Sequence, residues 1–220
     1  MSFNCPEEYT EGPAITKLPD YSGHRALTVF CWSRTEEQTP RWEEAERLGR
    51  LAAEEGYSIV TGGYCGSMEA VSKGARLVIE EKRQQQQTGE TLPEVIGVVV
   101  SELFPDRATK GNPYLTKMID SHSMLHRIDQ LTRLARYFVI LPGTMGTLQE
   151  LVSVWMSAVL HPKEKLAPVI IAFRDPWEAC MRQVAESLNF PSWQIDKIQF
   201  VDTPEQVMEI VRAEEALLKE

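Results

Sequence analysis

"YFVILPGTMGTLQELVSVWMSAVL", Tyr137 to Leu160, is the stretch from which the fold can be read. Its first part, "YFVILP", is an unbroken apolar run rich in strand formers and too short for a helix. Its last part, "TLQELVSVWMSAVL", places apolar residues at helical spacing. A strand that is apolar throughout needs cover on both faces, which parallel sheets obtain from crossover helices. Between the two stands a turn with two glycines and two threonines, and Glu150 follows it. Thr147 and Glu150 have the T-x-x-E spacing of a capping box, in which the Glu150 side chain accepts the Thr147 amide N–H. The same turn, at a helix N-terminus, can also cradle an anion with a carboxylate aimed into it. Residue types and spacing leave both roles open.

The pattern repeats in both directions. "ALTVFC" (Ala26 to Cys31) reads as a strand, "RWEEAERLGRLAAEEG" as a helix ending at Gly56, "YSIV" as a strand and "SMEAVSKGARLVIEEKRQ" as a helix. The polar "QQQQTGETLPE" is expected to be an exposed loop. "VIGVVV" follows as a buried strand, "SELFPDRATKGNPY" as a long loop, "LTKMIDS" as a short strand and "MLHRIDQLTRLAR" as a helix. Beyond Leu160, "APVIIAF" and "IQFVD" read as strands, and "PWEACMRQVAESLNF" and "PEQVMEIVRAEEALLKE" as helices. Such alternation predicts an α/β fold: a doubly wound, Rossmann-like parallel sheet of about six to seven strands with helices on both faces. Residues 1–25 are expected to form a flexible arm and 26–220 a single Rossmann-like domain.

Composition narrows the function classes. The net charge of −9, with no basic block to offset it, argues against nucleic-acid or membrane partners. No apolar run approaches the roughly 20 residues that span a bilayer. The N-terminal stretch lacks the apolar core of a signal peptide and the arginine-rich look of a transit peptide, so a cytoplasmic location is expected. Cys5, Cys31, Cys65 and Cys180 are scattered without a CxxC pair and read as reduced thiols rather than a zinc site.

Ligands of doubly wound sheets sit beyond the C-terminal strand ends, so the glycine-rich strand-to-helix turns are the candidates. They are "TGGYCGSMEA" (Thr61 to Ala70) and "LPGTMGTLQE" (Leu141 to Glu150). Neither fits the GxGxxG dinucleotide fingerprint, and neither is a P-loop, since GK[ST] is missing. Ser33, after the first strand, lies at the same sheet edge, although many such serines only cap a turn. Arg127 precedes the strand that leads to the second turn by one helix. His122 and His126 lie four apart, but no third metal ligand is evident.

In this order the motifs resemble a known family. "PGTMGTLQE" resembles the PGGxGTxxE motif of the LOG (Lonely guy) family, best known for cytokinin-activating phosphoribohydrolases and long labelled lysine decarboxylases. "SMLHRIDQLTRLARYFVILPGTMGT", "FCWS" and "TGGYCGSMEAVSKGA" resemble its other conserved segments, and the similarity runs from Ala26 to Ala185. The resemblance implies that Arg127 and Glu150 are catalytic. It implies that Pro142, Gly143, Thr144, Met145, Gly146 and Thr147 form the phosphate-binding loop, and that Gly62, Gly63, Gly66 and Met68, with Ser33, contact the nucleotide. This chain departs from the family pattern at Trp32, Tyr64, Ile128 and Thr144.

The activity so implied is hydrolysis of a nucleoside 5'-monophosphate, such as a cytokinin riboside 5'-monophosphate, to free base and ribose 5-phosphate. No metal or organic cofactor is implied, and a homodimer is. The rival is a non-catalytic carrier: molybdenum-cofactor carrier proteins share the fold and a segment close to "MEAVSKGA". A decarboxylase using pyridoxal phosphate would want a lysine after His126, where Arg127 stands.

Overall fold

The computed structural model describes residues 25–85, 92–103, 111–161 and 167–219. Residues 1–24 of the expected arm, 86–91 of the glutamine-rich loop and 104–110 of the long loop lie outside the described residues.

Seven strands alternate with helices: β1 (Ala26–Phe30), α1 (Pro40–Glu54), β2 (Ser58–Thr61), α2 (Ser67–Gln84), β3 (Val95–Val99) and β4 (Lys117–Asp120). Then come α3 (Met124–Arg133), β5 (Tyr137–Ile140), α4 (Met145–Leu160), β6 (Val169–Phe173), α5 (Arg174–Ser187), α6 (Ser192–Ile195), β7 (Ile198–Val201) and α7 (Pro204–Leu218). The strands form one sheet in the order β4-β3-β2-β1-β5-β6-β7. Every neighbouring pair is parallel. The order reverses at β1, which lies between β2 and β5, so the crevice beside it is where this architecture receives ligands. The doubly wound sheet expected from the alternation is present.

Successive strand side chains point to opposite faces, and each face has its own core. Leu27, Val29, Ile59 and Val139 pack with Leu48 of α1, Val71 of α2 and Val207 of α7. Phe30, Val60, Phe138 and Ile140 pack on the other face with Leu131 of α3, Leu151 of α4 and Trp177 of α5. Each such side chain contributes about 1.5–3 kcal/mol when fully buried. The buried indoles keep their donors satisfied: Trp177 Nε1 donates to the Leu141 carbonyl at 2.9 Å and Trp155 Nε1 to that of Gln194 at 2.7 Å. Gln194 belongs to α6, a short helix that the sequence pattern does not announce.

Helix starts follow capping chemistry. Thr39 accepts the Trp42 N–H, Ser123 that of His126 and Thr203 that of Gln206, and prolines open α1 and α7. The helix after the second glycine turn is a correction. It begins at Met145, with Thr144 in the extended N-cap position, rather than at Thr147. Glu150 therefore lies in its second turn, and no capping box forms. Its carboxylate is taken by a buried guanidinium instead. None of the helices among the described residues is long and apolar enough to cross a membrane.

Candidate active site

Ser123 caps α3 and thereby sets Arg127 in its first turn, aimed inward under the sheet edge. β3 supplies the first anchor. Its last register partner in β2 is Thr61, opposite Gly97, while β3 runs on to Val99. The Val98 carbonyl thus has no strand partner on that side, and Arg127 Nε donates to it at 2.8 Å. Nη1 donates to Glu150 Oε1 at 2.9 Å. The side chains of the pair are only 7% and 8% exposed. Among the described residues nothing donates to Glu150 Oε2, so one carboxylate oxygen is held and the other is available.

Charge in so dry a place has consequences for protonation. Burial pushes the Glu150 carboxyl above its usual range, and Arg127 opposes this by its charge and its hydrogen bond. The Cys31 thiol, buried after β1, is pushed well up by burial and further by Glu150, with Arg127 opposing. It stays a neutral thiol beside the pair.

The predicted residues gather at this edge through two turns. In the first, a Cβ on Gly62 would lie 1.9 Å from Arg127 Nη2 and 2.8 Å from Met68 Sδ, so the bare backbone there is what admits the guanidinium. Met68 itself is buried in the core beneath the turn. Gly66 (φ +71°) lies against Trp32 and Ser33, and the Ser67 N–H donates to the Trp32 carbonyl at 2.9 Å. The turn after β1, with half-buried Ser33, is thereby docked onto the start of α2. Gly63 follows the same edge, its N–H on Thr61 Oγ1 at 3.0 Å.

The second turn is built differently. Gly143 makes room for the buried Thr147 hydroxyl, which would stand 2.1 Å from a Cβ there. Pro142 is half-buried, whereas Thr144, Met145 and Gly146 are exposed, and a Cβ on Gly146 would meet nothing within 4 Å. The Thr144 side chain caps no N–H of α4, so the first amides of that helix face outward with its positive dipole end.

Two contributors are invisible in the sequence pattern. Buried Asn112 donates its backbone N–H to the Gly63 carbonyl at 2.8 Å and its Nδ2 to that of Tyr64 at 3.1 Å, clamping the first turn from the far side of the long loop. Tyr64, visible only as a departure from the family pattern, lays its ring beside the Arg127 guanidinium, 5.8 Å from Cζ to centroid. The His122 and His126 rings stack 3.9 Å apart, and no group of three or more potential metal ligands occurs among the described residues.

Comparison with known proteins agrees with this arrangement of motifs. A family model described as "Possible lysine decarboxylase" matches residues 68–211. A cytokinin riboside 5'-monophosphate phosphoribohydrolase LOG of Oryza sativa subsp. japonica is 29% identical over 158 residues, 71% of this chain and 60% of that protein. A pyrimidine/purine nucleotide 5'-monophosphate nucleosidase of Escherichia coli (strain K12) is 26% identical over 153 residues, 68% of this chain but only 31% of its own length. The chain thus spans less than two thirds of the rice relative and about a third of the bacterial one. Among solved structures, a molybdenum cofactor binding protein from Rippkaea orientalis superposes with a TM-score of 0.62 at 18% identity, covering 86% of this chain and 96% of that one. The molybdenum cofactor carrier protein of Chlamydomonas reinhardtii gives 0.60 at 16% identity, covering 88% and 99%. At those identities the likeness is one of fold. The family match spans well over half of the sequence, and the chain belongs to the LOG family.

Proposed function

We propose that the protein hydrolyses the N-glycosidic bond of a nucleoside 5'-monophosphate, releasing free base and ribose 5-phosphate. The observation that carries this reading is the buried Arg127–Glu150 pair at the topological switch of the sheet, one carboxylate oxygen tethered and the other open. Cleavage builds positive charge on the ribose, as in glycoside hydrolysis. A preorganised carboxylate in a dry site stabilises that charge and can hold a ribose hydroxyl or the attacking water. Arg127 orients it. The 5'-phosphate docks at the Gly143–Thr147 turn, on the uncapped first amides of α4, and this remote binding positions the reacting bond. The relatives named as nucleotide 5'-monophosphate hydrolases support the reading. The cytokinin riboside 5'-monophosphates named for the rice protein are one candidate substrate class.

The test is a panel of nucleoside 5'-monophosphates and matching nucleosides, with released base read by chromatography. Two or three charge-assisted bonds at about 1.5 kcal/mol each, the low end of their range, give a preference for the monophosphate of about a hundredfold to about two thousandfold. Ribose 5-phosphate should compete. Equal rates on adenosine and its monophosphate would remove phosphate from the reading. Binding without release of base would favour a carrier, the role named for the Chlamydomonas reinhardtii neighbour.

The reading includes a homodimer. The only charged residue of α4 is Glu150, which is buried. Met145, Val152, Met156 and Leu160 form an exposed apolar stripe along this helix, and exposed Leu125 of α3 stands beside a groove of about 380 Å³ between the two helices. A charge-free apolar helix face suits a self-complementary contact with a second copy. Met156→Glu should then convert a dimer to a monomer in sedimentation; a wild-type monomer would rule the contact out.

A further inference from the structure

β3 outruns β2, and two side chains occupy the edge left bare. Val99 directs its carbonyl toward β4, where it accepts the Ser121 N–H at 2.8 Å. The polar groups of Val98 and Val100 point the other way, into the space that β2 vacates when it turns at Gly62. Arg127 Nε fills the first position, on the Val98 carbonyl at 2.8 Å. Tyr64 fills the next: its hydroxyl accepts the Val100 N–H at 2.9 Å. Neighbouring positions on one strand edge bring the two side chains alongside, and the guanidinium comes to lie 5.8 Å from the ring centroid.

Tyr64 is held at both ends of the residue. Its tip is on Val100, and its backbone carbonyl accepts Asn112 Nδ2 at 3.1 Å. Arg127 is correspondingly enclosed, with Nε on β3, Nη2 against Gly62, Nη1 on Glu150 and the Tyr64 face beside it. The tether to Val98 fixes a position but permits rotation about it. A fixed aromatic face beside the guanidinium removes that freedom and attracts the cation through the ring quadrupole.

We propose that Tyr64 is a positioning residue for Arg127: its ring holds the guanidinium in the orientation in which Nη1 meets the Glu150 carboxylate. The kinetic consequence rests on the phosphoribohydrolase reading, and the geometric one does not. Tyr64→Phe keeps the ring and loses the Val100 bond, whereas Tyr64→Leu keeps apolar bulk and loses the aromatic face. The Arg127 Nε–H resonance, assigned through its loss in Arg127→Lys, reports the guanidinium directly. It should persist in the Phe variant and broaden or shift in the Leu variant. With nucleoside 5'-monophosphate as substrate, kcat should fall about tenfold in the Leu variant with KM nearly unchanged, and stay within about threefold in the Phe variant. A Leu variant with the wild-type resonance and kcat overturns the proposal. So does an equal loss in Phe and Leu, which would make the Val100 tether the whole role of Tyr64. Should the wild type cleave no nucleotide, the functional reading fails by itself, and the resonance still decides the positioning.

Discussion

In the turn after β2, Gly62 to Gly66, every glycine is buried, whereas the turn after β5, Pro142 to Thr147, turns Thr144, Met145 and Gly146 to solvent. In the first, the space that a side chain on Gly62 would need is filled by Arg127 and Met68, and that beside Gly66 by the backbone of Trp32 and Ser33. In the second, Gly146 meets nothing within 4 Å, and Met145 is 77% exposed. All the glycines of the first turn serve internal packing, whereas in the second Gly143 packs on Thr147 and Gly146 alone leaves room for approach from outside. On the proposed reading, the difference divides the site into a half that holds the reacting pair, the machine half, and a half that docks the phosphate, the docking half. The enclosed turn locks the arginine that locks the carboxylate, while the open turn presents amides to whatever arrives.

The largest effect should come from breaking the machine half at its carboxylate. Glu150→Gln keeps an acceptor for Arg127 Nη1 and removes the charge, so turnover should fall by at least about a hundredfold. Stability should respond differently. The folded-state pKa of Glu150 is raised by burial, so its favourable contribution is fully present below the unfolded value of 4.5 and is lost as pH rises through the higher folded value. A neutral glutamine escapes that loss. Denaturant unfolding should therefore find the variant within about 1 kcal/mol of wild type at low pH and gaining on it as pH rises. In the wild type, kcat/KM should decline on the acid side at a pH above the ordinary carboxylate range, because the ionised form is lost there first. Turnover surviving the substitution would reduce the pair to a structural ion pair.

How much of this was legible in the sequence differs between the same two turns. The alternation of apolar strands and amphipathic helices was plain because a parallel sheet forces both-sided burial on its strands. Ser33, Gly62, Arg127 and Glu150 could be placed at one sheet edge by topology and resemblance. The start of α4 was not legible: Gly146 is a poor helix former, and T-x-x-E has the spacing of a cap. What placed the helix start was Thr144 in extended geometry, and what diverted Glu150 was a guanidinium 23 residues away in sequence. Tyr64 and Asn112 were illegible in their roles for a similar reason. Each bonds to backbone 36 or 48 residues distant, and no local pattern records a partner that far away. Pairings of this kind arise from where β2 stops short of β3, which is a fact of register rather than composition.

The smallest effects, and the sharpest test of the comparison, come from one exchange made at both turns. Gly62→Ala drives a methyl into Arg127 Nη2, so the guanidinium must leave Glu150 or the turn must move. Overpacking of this kind costs about 1–3 kcal/mol, and misplacing the pair should lower kcat by about ten- to a hundredfold. Gly146→Ala places its methyl in open space within the first turn of α4, where alanine is the better helix former. Stability should rise by up to about 0.5–1 kcal/mol. Yet if phosphate rests on these amides, the methyl stands where its oxygens must approach, and KM for the nucleotide should rise about tenfold with kcat nearly unchanged. A protein that is more stable but binds substrate worse would mark this turn as built for a ligand. An unchanged KM would leave Gly146 as no more than an unfavourable residue at a helix start, and the docking half would have to lie elsewhere along the edge.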